Sequence, residues 1–371
     1  MRRYLGVLAA LASLAAPHSL LGQVRFQDLV FNLGGSVDGY SGNLSAVTVF
    51  IVDKTDHATA VVGEVGVRGA LSLFATPTRS VTFSFDGGVR QAAAVGFQLR
   101  DYAPREWVGS TSARITQSLG TWGSLMVRGG LRGRSVEDRP PMPLFLQPGY
   151  TTRSGGLGLG TRPLGGLSFD AQADLEAYDY SAPDYLPQLA LLDRSARGFE
   201  VGVRWGGPST IRFYGGLRWT DYNNQGSFDP TDPFRRDHTA RVGLEWTYPG
   251  DLFVQLGMDG TVNRSNSNRP EYDAVSVRAL LTAPLPRDFS LNVYSVFTFK
   301  SYVHDSGDAR LVPGEEADNA SVAYLQIGHA LASNLDGAIR FAWARAETDI
   351  GSAYYRRFGG SIQFNYRPLG N

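Results

Sequence analysis

The sequence predicts an all-β fold, a membrane-spanning antiparallel up-and-down β-barrel, and three observations lead to this prediction. Apolar and polar residues alternate along many short segments, and tight-turn signals recur at a nearly constant interval along the whole chain. After the N-terminal leader, no segment is long and apolar enough to be a membrane-spanning helix, which needs about 20 such residues. A chain of this kind therefore crosses a bilayer with strands.

The alternation is clearest between Leu167 and Tyr178. Successive side chains of a strand point to opposite faces, so each strand presents two rows of residues. One row here is wholly apolar or small: Leu167, Phe169, Ala171, Ala173, Leu175 and Ala177. The other row is polar: Ser168, Asp170, Gln172, Asp174, Glu176 and Tyr178. The two rows are expected to face lipid and a watery interior, as in a membrane barrel.

The turn signals set the number of strands. They are rich in Gly and Pro and lie near Pro77, Gly120, Gly165, Gly207, Gly250, Pro286 and Ser333. Longer polar segments lie midway between them, so short periplasmic turns and long extracellular loops are predicted. Seven turns imply about sixteen strands, and about fourteen to eighteen remain compatible. The uncertain segment is Leu44 to Asp53, which fits either an extended loop or an additional strand.

Large aromatic residues cluster near both ends of the predicted strands. The cluster beside the long loops contains Tyr40, Tyr102, Trp107, Tyr150, Tyr180, Tyr222, Tyr272 and Tyr302. The cluster beside the short turns contains Trp122, Trp205, Trp246, Tyr248 and Tyr366. Because Trp and Tyr favour the two interfaces of a bilayer, two aromatic belts on the lipid-facing surface are expected.

The N-terminus has the layout of a secretory signal peptide. Arg2 and Arg3 precede an apolar run from Tyr4 to Ala16, and the chain becomes polar from Gln23. This pattern predicts a signal peptide at residues 1–22, cleaved after Gly22, and one barrel domain at residues 23–371. A short N-terminal membrane anchor is the alternative.

The C-terminal segment carries a family resemblance. Phe358, Gly360, Ile362, Phe364 and Tyr366 alternate with Arg357, Gly359, Ser361, Gln363 and Asn365. This pattern resembles the terminal strand signal of bacterial outer-membrane proteins. The resemblance implies that the barrel assembly machinery recognises the assembly signal Phe358, Ile362, Phe364 and Tyr366. In that family the aromatic residue usually comes last, whereas Arg367 to Asn371 follow here.

The resemblance extends in kind over the whole mature chain, to the porin-like class of barrels and to no specific family. It implies a location in the outer membrane of a Gram-negative-type bacterium, with membrane lipid and lipopolysaccharide as neighbours. A homo-oligomer and a periplasmic partner both remain open.

The composition excludes several other classes. The 35 basic and 35 acidic residues balance, which argues against a nucleic-acid partner because that affinity comes mainly from excess cations. With no cysteine, the chain has neither disulfides nor thiolate metal sites. It also lacks His-Glu-x-x-His, Walker and Gly-x-Ser-x-Gly motifs. We therefore expect no enzyme activity, no cofactor and no metal centre.

A barrel of about sixteen strands is wide enough to enclose an aqueous channel. The residues predicted to line it are the charged members of the inner rows: Arg128, Arg132, Arg134, Asp170, Asp174, Glu176, Glu200, Arg204, Arg212, Arg218, Arg241 and Glu245. Opposed rows of unlike charge would create a transverse field across the pore. Alternatively, neighbouring arginines and carboxylates form pairs that stiffen the wall.

Two loops are candidates for folding into the lumen. Glu137 to Gln147 lies between the fifth and sixth predicted strands, and Ala182 to Ala196 is the competing segment. Both also fit surface loops that pack on themselves. Acidic residues of the loops fit either divalent-cation sites or ordinary solvated positions: Asp229, Asp232, Asp305, Asp308, Glu315 and Glu316.

The leading functional hypothesis is a porin-like channel for passive diffusion of small hydrophilic solutes through an Arg-rich polar lumen. The alternative is a structural or docking barrel that anchors or sheathes a partner without general pore activity. A weaker third possibility is an outer-leaflet lipid-modifying enzyme.

Overall fold

The computed structural model describes residues 25–47, 52–76, 78–95, 105–137, 142–143, 149–182, 187–227, 230–267, 271–303, 321–347 and 354–368. The predicted signal peptide at residues 1–22 lies outside these ranges. No helix within them is long and apolar enough to cross a bilayer.

Sixteen strands form the barrel wall in the described part of the chain. In chain order they are β1 Arg25–Val47, β2 Val52–Ala75, β3 Arg79–Val95, β4 Arg105–Ser118, β5 Gly123–Glu137, β6 Tyr150–Thr161, β7 Leu167–Tyr180, β8 Arg194–Gly206, β9 Thr210–Gly226, β10 Phe234–Tyr248, β11 Phe253–Ser265, β12 Tyr272–Leu285, β13 Phe289–Tyr302, β14 Ser321–Ala332, β15 Leu335–Glu347 and β16 Tyr354–Tyr366. This number confirms the sequence-based estimate.

The sheet is antiparallel and closes on itself. Each strand pairs with its neighbours in the chain, and β1 also pairs with β16 over a register that runs from Phe31 opposite Tyr366 to Gly42 opposite Tyr355. Because of this closure, each of the sixteen described strands has a neighbour on both sides, as a bilayer requires, since hydrocarbon offers no hydrogen-bonding partner. The predicted up-and-down barrel is therefore confirmed.

All seven predicted tight turns join strands at one end of the barrel. At the turn from β6 to β7, Gly165 and Gly166 have φ angles of 60° and 81°, a left-handed backbone that glycine adopts without steric cost. Of the β-rich segment at residues 44–53, the described parts at 44–47 and 52–53 extend the β1–β2 hairpin at the opposite end, where Val47 pairs with Val52. They do not form a seventeenth strand of the wall.

Curvature distinguishes the two faces of the sheet. Side chains converge on the concave face, so contacts there reach across two strands, as between Arg128 on β5 and Asp174 on β7. The opposite row of each strand is apolar and open, with Phe169 and Leu175 of β7 exposed by 51% and 65%. Soluble monomers rarely expose apolar patches above about 600 Å². An apolar outer surface that encircles the barrel fits a hydrocarbon environment.

The aromatic belt beside the short turns lies on the outer face as predicted. Trp205 and Tyr366 are exposed there, and Trp246 stacks on Tyr248 with ring centroids 6.4 Å apart. Trp122 lies in the turn from β4 to β5 and is also exposed. These rings are positioned for the bilayer interface.

The prediction of a second outer belt was wrong for most of its members. Trp107 points outward, but six tyrosines lie on the inner face: Tyr40, Tyr150, Tyr180, Tyr222, Tyr272 and Tyr302. The reason is strand parity: every second residue of a strand faces the same side. Tyr180 therefore lies on the inner row of Asp174, and Tyr222 lies on the inner row of Arg218. Tyr102 lies outside the described residues.

A cation placed on the outer apolar face should destabilise the barrel. Val242 is 67% exposed at the middle of β10, so V242R would place an arginine in hydrocarbon. We expect a loss of about 2–4 kcal/mol in the free energy of unfolding. Denaturant unfolding in lipid vesicles measures it, with S110R on the inner face of β4 as the control. Equal losses in both variants would contradict the assignment of the faces.

Candidate pore lining

Arginines of the inner face reach carboxylates two strands away by crossing a glycine. Arg128 on β5 is directly opposite Gly156 on β6, and Gly156 is opposite Asp174 on β7. The Nη2 atom of Arg128 lies 2.5 Å from Oδ1 of Asp174. A Cβ at position 156 would collide with the Asp174 carboxylate, so the glycine provides the space that the ion pair occupies.

A second crossing links β9 to β7. Arg212 donates to Asp170 and Glu200, with its Nη2 atom 2.5 Å and 2.8 Å from their oxygens. It passes over Gly202 of β8, where an added Cβ would lie 2.8 Å from the guanidinium. Gln172 also donates to Glu200 at 3.4 Å. One arginine thus bonds to two carboxylates from different strands.

The same strands carry a further pair nearer the long loops. Nη2 of Arg218 on β9 lies 2.6 Å from Oε2 of Glu176 on β7. Charge-assisted contacts of this length are among the stronger hydrogen bonds of proteins. Ion pairs therefore bring together predicted lining residues from β5, β7, β8 and β9, namely Arg128, Asp170, Asp174, Glu176, Glu200, Arg212 and Arg218.

Asp259 on β11 is the centre of the next cluster. Its Oδ1 atom accepts from Arg241 at 2.8 Å and lies 3.0 Å from Nη2 of Arg278. Tyr214 donates to it at 3.4 Å, with its ring lying over Gly243 of β10. Only 5% of Asp259 is exposed, and a carboxylate buried to this extent needs such partners.

A chain of charges also follows the inner face near the long loops. Arg90 lies 3.5 Å from Glu64 and 3.6 Å from Glu106, and Arg134 lies 2.7 Å from Glu106. Gln363 of β16 donates to Glu64 at 3.1 Å, so the chain runs across the junction where the barrel closes. Arg134 and Glu106 are both buried, so their charges depend on partners within the protein rather than on water.

Three predicted lining residues form no ion pair in the described part of the chain. Arg132 places its guanidinium 5.9 Å from the ring centre of Tyr150. Arg204 and Glu245 lie on the inner rows of β8 and β10, near the short turns. All the predicted lining residues are thus on the inner rows, and the carboxylates of β7 bond to neighbouring arginines rather than facing them across the lumen.

Several charged residues of this surface were not predicted: Glu64, Arg90, Glu106, Asp259 and Arg278. Strand parity alone identifies Glu64, because it alternates with Val61, Val65 and Val67. The alternation around Asp259 is blurred by glycines at positions 257 and 260. The pairings themselves have no signal in the sequence, since they join residues 12 to 46 positions apart.

The inner tyrosines near the long loops are covered by cations. Arg235 lies 4.0 Å from the ring centre of Tyr222, and Lys300 lies 4.0 Å and 4.4 Å from those of Tyr272 and Tyr302. A cation over an aromatic face is attracted by the ring quadrupole. Strand parity sets the inward orientation of these tyrosines, and the cations then stabilise them there.

The first candidate loop, Glu137 to Gln147, lies largely outside the described residues. Its segment Met142–Pro143 pairs with Val47 and Ala46 of β1, whose other edge pairs with β2. Because a strand has only two edges, this segment lies on the far side of β1 from β2. The described part of the β5–β6 connection is therefore paired with the β1–β2 hairpin on its β1 side.

The second candidate loop packs against its own part of the wall. It contains a 3-10 helix at Pro187–Leu192. Asn224 and Gln225 of β9 donate side-chain hydrogen bonds to the carbonyls of Ala190 and Leu191, at 2.7 Å and 2.6 Å. The loop is thus tied to the adjacent strand.

Among the described residues, no group of three or more His, Cys, Asp or Glu is arranged to hold a metal ion. Asp232 pairs with Arg236 at 3.1 Å. The other acidic loop residues considered above lie outside the described ranges.

No protein-family model and no curated protein sequence matches the chain. Similar solved structures include a BenF-like porin from Pseudomonas fluorescens, with 10% identity, a TM-score of 0.48, and coverage of 94% of this chain and 100% of that one. OprD from Pseudomonas aeruginosa has 12% identity, a TM-score of 0.42, and coverage of 92% and 96%. A mutant of TodX, a monoaromatic hydrocarbon channel, has 9% identity, a TM-score of 0.42, and coverage of 92% and 90%.

Removing one partner of the buried pair should cost much more than removing one partner of an exposed pair. E106Q replaces the buried carboxylate that contacts Arg134 at 2.7 Å by a neutral amide, so we expect a loss of about 3 kcal/mol in the free energy of unfolding. D179N breaks the exposed Arg153–Asp179 pair and should cost under about 1 kcal/mol. Denaturant unfolding in vesicles compares them, and similar values would contradict the buried network.

Where a side chain lies over a glycine of the neighbouring strand, that glycine should not tolerate an added methyl group. In G243A the new Cβ would collide with the ring of Tyr214, and we expect a loss of about 1–3 kcal/mol in the free energy of unfolding. G260A on the adjacent strand is the matched control, because nothing lies within 4 Å of its added Cβ. If G243A unfolds at the same denaturant concentration as G260A, the space that Gly243 leaves for the Tyr214 ring contributes nothing to stability.

Proposed function

We propose that this protein is a porin-like channel of the bacterial outer membrane that allows passive diffusion of small hydrophilic solutes. The observation that carries the proposal is the combination of an apolar outer face with a charged inner face in one closed sixteen-strand wall. The apolar outer face is compatible with lipid hydrocarbon, whereas exposed inner cations such as Arg68, Arg114 and Arg132 require hydration by water.

The width of the barrel supports a water-filled interior. Barrels of about eight strands are filled by their own side chains, whereas those of about sixteen leave an aqueous channel. The ion pairs described above lie along the wall, between residues no more than two strands apart. They hold these long side chains against the wall, which favours an open centre.

The proposal includes the route by which the protein reaches its membrane. Residues 1–22 act as a cleaved signal peptide, and residues 23–371 form one barrel domain. Phe358, Ile362, Phe364 and Tyr366 form one exposed apolar row on β16, where an assembly factor has access before β16 pairs with β1. Lipid and lipopolysaccharide surround the outer face of the finished barrel.

Purified protein in planar lipid bilayers should conduct in discrete steps, because each inserted barrel adds one aqueous path. The control is the same protein unfolded in denaturant and diluted into the chamber without refolding. A folded barrel that inserts but conducts no ions would overturn the channel. Recovery of one stoichiometric partner with such a sealed barrel would favour a docking role.

A further inference from the structure

We propose that the lumen selects small anions over cations, through arginines on the arc from β15 through β1 to β5 that have no carboxylate partner among the described residues. This inference rests on the proposed channel and specifies its solute class. The opposite arc, from β7 to β12, has the dense pairing already described around Arg212, Arg218 and Asp259. The two arcs therefore differ in the charge that they present to the lumen.

The unpartnered cations occupy inner rows on five strands of the first arc. No ion pair with a carboxylate is formed, within the described part of the chain, by Arg340 on β15, Arg357 on β16, Arg68 on β2, Arg114 on β4 or Arg132 on β5. Arg340 donates to the neutral oxygen of Gln326 at 2.9 Å and 2.5 Å. The Nε atom of Arg357 has no hydrogen-bond partner there. The charge of each guanidinium is thus not offset by a directly bonded carboxylate among the described residues.

Three of these arginines are also open to the lumen. Arg68, Arg114 and Arg132 are exposed, and they lie on the same inner rows as Gly66, Ser112 and Gly130. Small neighbours leave the guanidinium groups uncovered. An arginine in this position offers a fork of donors that matches the oxygens of a carboxylate or a phosphate. The surface therefore fits small oxyanions.

The carboxylates of the same arc do not cancel this charge. Three aspartates there have no cationic partner in the described residues: Asp28, Asp38 and Asp86. Asp38 is buried, with 8% exposed, and Asp28 lies near the short-turn end of β1. Asp86 is opposite Arg68 in the β2–β3 register, so it offsets at most one of the cations. Even if each of the three aspartates offsets one cation, two of the five unpaired arginines remain, so the described residues of this arc carry a net positive charge.

A charged arc of this kind acts on ions in the pore. A paired arginine presents a compact dipole whose field fades quickly, whereas an unpaired one attracts anions over about one Debye length, roughly 10 Å at 0.1 M salt. Water-filled clefts lined by one sign of charge raise the local concentration of ions of the other sign. Selectivity should therefore follow the unpaired arginines and weaken as the salt concentration rises.

The test is the reversal potential of single channels in a gradient of potassium chloride, repeated with potassium acetate. We expect the permeability for the anion to exceed that for potassium by at least about threefold at low salt. The triple variant R68Q/R114Q/R132Q should bring the ratio close to one. R153Q removes the same kind of charge from the outer face of β6 and should leave the ratio unchanged.

The outcomes separate this inference from the proposed function. A barrel that never conducts would overturn the channel itself. A conducting channel with a ratio at or below one, or a triple variant with the ratio of the unaltered protein, would overturn anion selection and leave the channel standing. If the triple variant does not fold, R68Q and R114Q are measured singly, and each should lower the ratio by a part of the full change.

Discussion

The structure depends on one constraint: inside a bilayer, every backbone N–H and C=O must find its partner within the protein. Pairing of β1 with β16 meets that constraint by removing both edges of the sheet. Once the sheet is closed, strand geometry assigns alternate residues to hydrocarbon and to the interior. The separated apolar and charged rows of β7 are a direct consequence, and so is the inner position of every network described above.

Glycine at selected inner positions makes those networks possible. A curved wall brings the side chains of a strand toward those two strands away, but the intervening strand obstructs them unless it carries no side chain there. Gly156, Gly202 and Gly243 each lie beneath such a contact. This accounts for part of the high glycine content, 44 of 371 residues, which is otherwise unfavourable in strands. Packing against the wall then limits how far each arginine extends into the lumen.

Closure, strand number and the seven turns were all predictable, because periodicity and turn chemistry are local signals. The face of each aromatic residue was also encoded locally. The six inner tyrosines were nevertheless misassigned, because only their nearness to the strand ends was considered and not the row of the strand to which each belongs. The ion pairs are different in kind. Arg128 and Asp174 are 46 residues apart, and only the register of three strands places them together over Gly156. No single-strand pattern contains that information.

The two arcs of the inner face differ in whether their arginines are paired with carboxylates. In the arc from β7 to β12, most arginines and carboxylates bond to one another, Arg204 and Glu245 excepted, so the paired groups depend on their partners and several also depend on the glycine between them. In the arc around β2 to β5, the exposed arginines of the mid-wall form no ion pair within the described ranges, and exposed groups of this sort contribute little to folding. Stability gives no reason for cations at those positions. What distinguishes Arg68 and Arg114 is their access to whatever enters the lumen, and that access is what a solute-selecting surface requires.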